Sequence, residues 1–255
     1  MKSFFLACTP RTGSLWFRRM LPGATRGTSV AEHQPKEIDW EGLQPPCVVA
    51  MHWHRTPELV NLLNRRNFEV IVTIRHPLDV LTSILHFCHY EPATARWLEG
   101  ECGDESLLFG ADPSSPQFLQ YALSQRFTTL LGISGEWHGS ARAVVRYEDL
   151  VDDTEGTLER VLALLGCDAI EPLVNVIEAS SKHRLRPITG HHVWRAEPGL
   201  WRQLITPEYA KIIYEYHREV FQLWGYERPQ GPPLSVYEAR DNWKRLCELD
   251  EPRTT

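Results

Sequence analysis

Short apolar runs alternate along this chain with stretches whose apolar residues recur at helical spacing. Four runs read as strands: Ser3–Cys8, Cys47–Met51, Glu69–Ile74 and Ala141–Arg146. They are rich in Val, Ile and Phe and lack an in–out alternation, the pattern of a parallel sheet covered on both faces. Helical spacing predicts helices over Pro57–Arg66, Pro77–His89, Gln117–Leu131, Thr154–Leu165, Glu171–Ser180 and Pro207–Trp224. Pro77 suits the first turn of its helix. Thr154 is a candidate N-cap, and Gly166 a candidate stop. Strands alternating with helices predict an α/β fold, a three-layer sandwich around a mostly parallel central sheet.

Segments 22–46, 92–116 and 182–200 are polar and broken by Gly and Pro, so they are expected to be long loops of the kind that often act as lids. From Pro229 the chain is rich in Pro and then strongly charged, and a tail that wraps the surface or frays is expected. The expected organisation is a single domain over 1–228 and a C-terminal tail over 229–255.

Bulk properties narrow the function classes. The chain has 255 residues, 42% hydrophobic and 24% charged, which is ordinary for a globular protein. A net charge of −6 argues against a general nucleic-acid binder but leaves room for a local basic cluster. The six cysteines are scattered without a Cys-x-x-Cys pair, so neither a metal site nor a disulfide framework is expected. The apolar N-terminal stretch is too short for a signal peptide, and no 18-residue apolar run exists. The expectation is a cytoplasmic protein with no membrane span.

Chemistry concentrates where strands end. Thr9-Pro10-Arg11-Thr12-Gly13-Ser14-Leu15-Trp16 joins an apolar strand to a helical pattern through a tight loop with Gly and hydroxyls. Such a loop aims backbone N–H groups and the positive end of a helix at a phosphate, and Arg11 adds a permanent charge. The Walker A string is absent, which turns the search away from ATP and GTP. A second piece, Arg75-His76-Pro77-Leu78-Asp79-Val80-Leu81-Thr82-Ser83, puts an Arg at a strand end and a Ser eight residues later, on the following helix. Together they can clasp an anion, while Asp79 is read as a cap of its own helix. Arg146-Tyr147-Glu148-Asp149-Leu150 also ends a strand; Tyr147 either contacts a base or substrate or is structural. The fourth piece, Trp194 to Arg202, is a loop with Arg, Gly and Trp that can close over an anion or simply pack two indoles.

In this order and spacing the four pieces resemble the sulfotransferases that use 3′-phosphoadenosine 5′-phosphosulfate (PAPS), over residues 3 to about 224. The resemblance implies the P-loop-NTPase-like sulfotransferase fold. Arg11 stands where cytosolic small-molecule members carry Lys. The fourth piece is one residue shorter than the family's Arg-Lys-Gly-x-x-Gly-x-Trp run and lacks the Lys-Gly. By position, the resemblance implies that Arg11, Thr12, Gly13, Ser14 and Leu15 hold the 5′-phosphosulfate and that Trp16 stacks on the adenine. Arg75 and Ser83 would grip the 3′-phosphate, Arg195 would close over it, and Tyr147 would touch the adenine.

Sulfuryl transfer needs a base for the acceptor hydroxyl, and His is suited to that task near neutral pH. Met51-His52-Trp53-His54 follows the second strand at the same sheet edge. His52, which directly ends the apolar run, is the expected base, with His54 as the alternative. The implied reaction is a direct in-line transfer to a hydroxyl of a small molecule. The product is adenosine 3′,5′-bisphosphate (PAP), and no metal is expected. Two other readings stand beside it: a P-loop-type small-molecule kinase, for which the loop Lys and an acidic Mg²⁺ site are missing, and a non-catalytic nucleotide-binding relative. The loops carrying Trp40, Trp97, His191 and His192 would line the acceptor pocket. A homodimer is an open option.

Overall fold

The computed structural model describes residues 2–32, 34–90, 105–181, 183–185, 197–231 and 233–250. The chain forms two compact units. One comprises Met1–Arg75 with Leu130–Ala196, the other His76–Thr129 with Glu197–Thr255.

The first unit is built on a five-stranded, all-parallel sheet: β1 (Ser3–Cys8), β2 (Thr28–Ala31), β3 (Cys47–Met51), β4 (Phe68–Ile74) and β5 (Ala143–Arg146), in the order β2-β3-β1-β4-β5. β1 lies at the centre and every one of its residues is buried. Alternate side chains of β1 therefore meet two different layers. Phe4, Leu6 and Cys8 share a cluster with Phe17, Met20, Leu21 and Ala24 of α1 (Ser14–Thr25). Leu158, Val161, Leu162 and Leu165 of α7 (Thr154–Leu165) and Leu173 and Val176 of α8 (Leu173–Ala179) complete that cluster. Phe5 packs instead on Trp137 of α5 (Gln125–His138), ring centroids 5.3 Å apart. Trp137 Nε1 donates to the Trp53 carbonyl at 3.0 Å, so the buried indole keeps a partner. α2 (Pro57–Arg65) links β3 to β4, and α6 (Tyr147–Asp152) follows β5 directly.

The second unit is helical: α3 (Pro77–Tyr90), α4 (Pro116–Ala122), the start of α5, α9 (Pro207–Tyr216), α10 (Arg218–Leu223) and α11 (Val236–Asp250). α3 is buried from Pro77 through Cys88. The charged segment after Pro229 is largely helical in α11, which buries Ala239, Trp243, Leu246 and Cys247 at helical spacing. Tyr90 Oη donates to the Cys247 carbonyl at 2.7 Å, and the Trp243 ring lies 6.4 Å from His86. Elsewhere in this unit Arg126 Nε donates to the fully buried Glu105 at 2.6 Å. Burial, with the Glu105 carboxylate adding to it, holds the neighbouring Tyr121 phenol well above its usual range.

The structure departs from the sequence pattern in four places, each for a local reason. β2 lies inside segment 22–46, read as a loop; it is a mostly exposed edge strand, Thr28-Ser29-Val30-Ala31, and carries no apolar run to betray it. The helix expected over 117–131 is two, because the Ser124 hydroxyl accepts from the Phe127 N–H and starts a new helix. The helix over 207–224 breaks at His217, whose buried ring bonds the Ala122 carbonyl at 2.7 Å. The N-cap of α7 is Asp153, not Thr154: Asp153 accepts from the Gly156 N–H at 2.9 Å, and Thr154 Oγ1 donates to the Leu150 carbonyl. No described helix is long and apolar enough to cross a membrane.

The cap can be tested directly. Asp153→Ala should destabilise the protein by about 1 kcal/mol in urea unfolding, and Thr154→Ala by less.

Candidate active site

Because β1, β3, β4 and β5 run parallel, the loops after them emerge at one edge of the sheet. This is the edge where open α/β sheets bind ligands. It gathers Thr9–Gly13, His52, Arg75 and Tyr147, all within the first unit.

The Thr9–Gly13 loop is held from beneath by buried hydroxyls. Thr9 N–H donates to Ser134 Oγ at 2.6 Å, and Thr9 Oγ1 to the Leu130 carbonyl at 2.7 Å. Thr12 Oγ1 donates to the Thr9 carbonyl at 2.7 Å and lies 2.7 Å from Thr73 Oγ1. Ser134 Oγ donates to the Thr73 carbonyl at 2.9 Å. With Thr12 only 1% exposed, its hydroxyl is committed to this frame. Arg11 (φ 70°) and Gly13 (φ 82°) both adopt left-handed backbone, which turns the chain sharply into α1. The N-cap of α1 is Gly13, without a side-chain cap, and the first turn holds no acid. The opening N–H groups of the helix, and its positive end, therefore remain for an anion.

Arg75, at the end of β4, is 4% exposed. Its Nη1 donates to the Arg11 carbonyl at 3.2 Å, and the guanidinium carbon sits 4.3 Å from the centre of the Tyr147 ring. Its Nε is buried without a hydrogen-bond partner, and no described carboxylate pairs with it. Tyr147 touches the loop as well: a methyl placed on Gly13 would lie 2.5 Å from Tyr147 Cδ2. Glycine at 13 thus answers both the positive φ and the approach of the ring.

His52 Nδ1 lies 2.7 Å from the carbonyl of Cys8. A carbonyl can only accept, so Nδ1 carries the proton and Nε2 carries the lone pair of the neutral ring. The Cys8 thiol, 3.4 Å from the same nitrogen, is held neutral by burial, which pushes its pKa up to about 12. His54 is placed differently. Its Nδ1 meets Glu136 Oε1 at 2.8 Å, both side chains are more than a third exposed, and Glu136 Oε2 accepts from the Arg55 N–H at 2.9 Å. Ser14, Leu15 and Trp16 are half-buried on the first turn of α1. Trp16 packs against the apolar cluster and has a buried Nε1 with no partner.

The second unit holds the remaining described residues of the four pieces. Ser83 is buried on α3. Asp79 accepts from the Gly199 N–H at 2.6 Å and from the Trp201 N–H at 3.0 Å. It therefore holds the start of the turn Leu200–Gln203, a role that the reading of Asp79 as a cap of its own helix did not include. Trp201 stacks on His76 at 5.1 Å. Arg195, with Trp97, Trp194, His191 and His192, lies outside the described residues. Sequence reasoning missed Ser134 and Glu136; both sit on α5 about 80 to 125 residues from the groups they hold, and nothing local marks them. Among the described residues, no group of three or more His, Cys, Asp or Glu is placed to hold a metal ion.

Comparisons with known proteins agree with this fold. The family model described as a sulfotransferase domain matches residues 2–225. Mouse sulfotransferase SULT7A1 complexed with PAP superposes with a TM-score of 0.62 at 16% identity, covering 87% of this chain and 84% of that one. Retinol dehydratase in complex with androsterone and the inactive cofactor PAP gives 0.56 at 14% identity, covering 87% and 82%. Retinol dehydratase in a complex with retinol and PAP gives 0.55 at 13%, again covering 87% and 82%. No curated protein matches in sequence. With a parallel sheet of this order, an open helix terminus after β1 and a family match over nearly its whole length, the chain belongs to the sulfotransferase domain family.

Proposed function

We propose that the protein transfers a sulfuryl group from PAPS to a hydroxyl of a small-molecule acceptor, by direct in-line displacement with His52 as base. The observation that carries the reading is Arg75. A buried guanidinium without a carboxylate is costly, and among the described residues Arg75 has only a carbonyl and an aromatic face. It therefore requires an anion from a ligand. The uncapped N-terminus of α1 offers a place for a second. A nucleotide phosphorylated at both the 5′ and 3′ positions supplies both, so the residues present fit PAPS.

When bound, PAPS supplies an activated sulfuryl group in a phosphosulfate anhydride. The backbone N–H groups of Thr12, Gly13 and Leu15 would hold non-bridging oxygens. Arg11 and Ser14 would stabilise charge growing on the bridging oxygen as the anhydride breaks. Arg75 would grip the 3′-phosphate; Ser83 and Arg195 keep the same assignment from the family resemblance. Trp16 would offer its ring to the adenine, and Tyr147, fixed against Gly13 and Arg75, would border it.

His52 is favoured over His54 on tautomer and partners. The Cys8 carbonyl directs the His52 lone pair to Nε2, where it can take the acceptor proton. The Nδ1 of His54 is engaged by Glu136, which also ties down the backbone at Arg55. This division, like the acceptor class, draws on chemistry beyond the family match. The retinol dehydratase complexes hold androsterone and retinol, both small hydroxylated molecules. The same broad class suits a base at the end of β3.

Two kinetic outcomes follow, read with PAPS and a panel of hydroxylated aromatic and aliphatic acceptors. Arg11→Ala should lower kcat by about 10²–10³, the cost of losing one oxyanion donor; wild-type turnover would remove Arg11 from the reaction. His52→Ala should lower kcat by about 10² or more with PAP affinity unchanged, whereas His54→Ala should stay close to wild type. The reverse pattern would make His54 the base, and full activity in both variants would overturn the acid–base assignment.

A further inference from the structure

Residues 52–56, between β3 and α2, form neither helix nor strand. No ladder fixes such a segment, so its place is set by the groups that take its hydrogen bonds. Two neighbouring side chains of α5 supply three of these bonds. Trp137 Nε1 donates to the Trp53 carbonyl at 3.0 Å. The Glu136 carboxylate takes the other two: His54 Nδ1 at one oxygen, 2.8 Å away, and the Arg55 N–H at the other, 2.9 Å away. The same helix end also holds the strand ends on which the anion loop rests. Leu130, Ser134 and Trp137 recur at the spacing of one helix face. The Leu130 carbonyl and Ser134 Oγ accept from Thr9, Ser134 Oγ donates to the Thr73 carbonyl, and Trp137 packs on Phe5 of β1. Ser134 and Trp137 are buried, so this face is fixed against the sheet. The Glu136 side chain is 44% exposed. Its two oxygens, and not buried bulk, do the holding.

We infer that Glu136 is a positioning residue for the base: from the end of α5 that also carries the Thr9–Gly13 loop, it anchors the segment behind His52 and so sets where the His52 ring stands relative to that loop. The inference rests on the assignment of His52 as the base made above. All the groups involved belong to the first unit. The His52 ring must keep Nδ1 on the Cys8 carbonyl for Nε2 to face an acceptor. With residues 53–55 released from α5, the peptide that follows the ring gains freedom, and the bond to Cys8 is the easier to lose. A misplacement of about 1 Å in a reacting group can cost about 10²-fold in rate. The backbone bond at Arg55 carries most of the effect, so His54→Ala leaves the anchor in place. A carboxylate that served stability alone would leave the His52 tautomer as it is.

The test reads the ring itself. Nitrogen-15 NMR of the intact protein, at a pH where the ring is neutral, resolves the two nitrogens of His52, identified by their loss in His52→Ala. Wild type should show a protonated Nδ1 and a well-separated, unprotonated Nε2. In Glu136→Ala the two signals should move toward each other as the tautomers exchange. In the same variant kcat with PAPS should fall about 10-fold, less than on loss of the base itself. Calorimetry should find PAP affinity unchanged, because the bonds from Ser134 to Thr9 and Thr73 remain. Glu136→Gln, which keeps an oxygen for the Arg55 N–H, should recover most of both effects. If Glu136→Ala does not fold, Trp137→Phe removes the donor to the Trp53 carbonyl, keeps a ring in the core and should give the same NMR change. Unaltered His52 signals, or a loss of PAP affinity as large as the loss of kcat, overturn the inference. A wild-type His52 protonated on Nε2 instead removes the underlying assignment of the base.

Discussion

A guanidinium held at 4% exposure with no described carboxylate beside it is the constraint from which the site's organisation follows. Burying a cation costs several kcal/mol unless something of opposite charge meets it. Arg75 is kept in place by groups that orient it without neutralising it: the Arg11 carbonyl and the face of Tyr147. Tyr147 in turn abuts Gly13, the residue that opens α1. Neighbouring packing thus joins the end of β4, the start of α6 and the Thr9–Gly13 loop. The loop itself rests on a second set of contacts, the hydroxyls of Thr9, Thr12, Thr73 and Ser134. Such a frame is preorganised. In the transfer proposed above, its donors would not need to move when charge develops, which is the economical way to stabilise a transition state.

The parallel sheet makes this arrangement cheap to build. Strands that run the same way deliver their C-terminal residues to one edge, so Cys8, His52 and Arg75 become neighbours although they are up to 67 positions apart in the chain. The central strand, buried on both sides, supplies rigidity. The same strand end fixes the tautomer of His52 through the Cys8 carbonyl. A backbone group thereby decides which nitrogen can accept a proton, and a neutral thiol beside it does not compete.

Much of this was legible in the sequence. β1, β3 and β4 announce themselves as apolar runs because both of their faces are covered, and the residues just past them are the ones that reach the site edge. β2 was silent because an exposed edge strand needs no apolar run; its pairing with β3 makes it a strand. The helix breaks near Ser124 and His217 depend on a capping hydroxyl and on a buried contact 95 residues away, which spacing alone does not reveal. At the site, residue identity was readable and partnership was not. Glu136 joins His54 across 82 positions, and Asp79 meets Gly199 across 120. A motif shows which chemical groups a chain brings to an edge. Only the packing shows which hydrogen bond sets a tautomer or saturates a carboxylate.

The central claim is that one nucleotide satisfies both the open end of α1 and the buried Arg75. Its most direct measurement is a calorimetric titration of adenosine 3′,5′-bisphosphate into the wild-type protein and into Arg75→Ala. The account predicts saturable one-to-one binding to wild type, weakened about 10-fold or more in the variant by loss of a charge-assisted contact. Absence of any detectable association with the wild-type protein would contradict it.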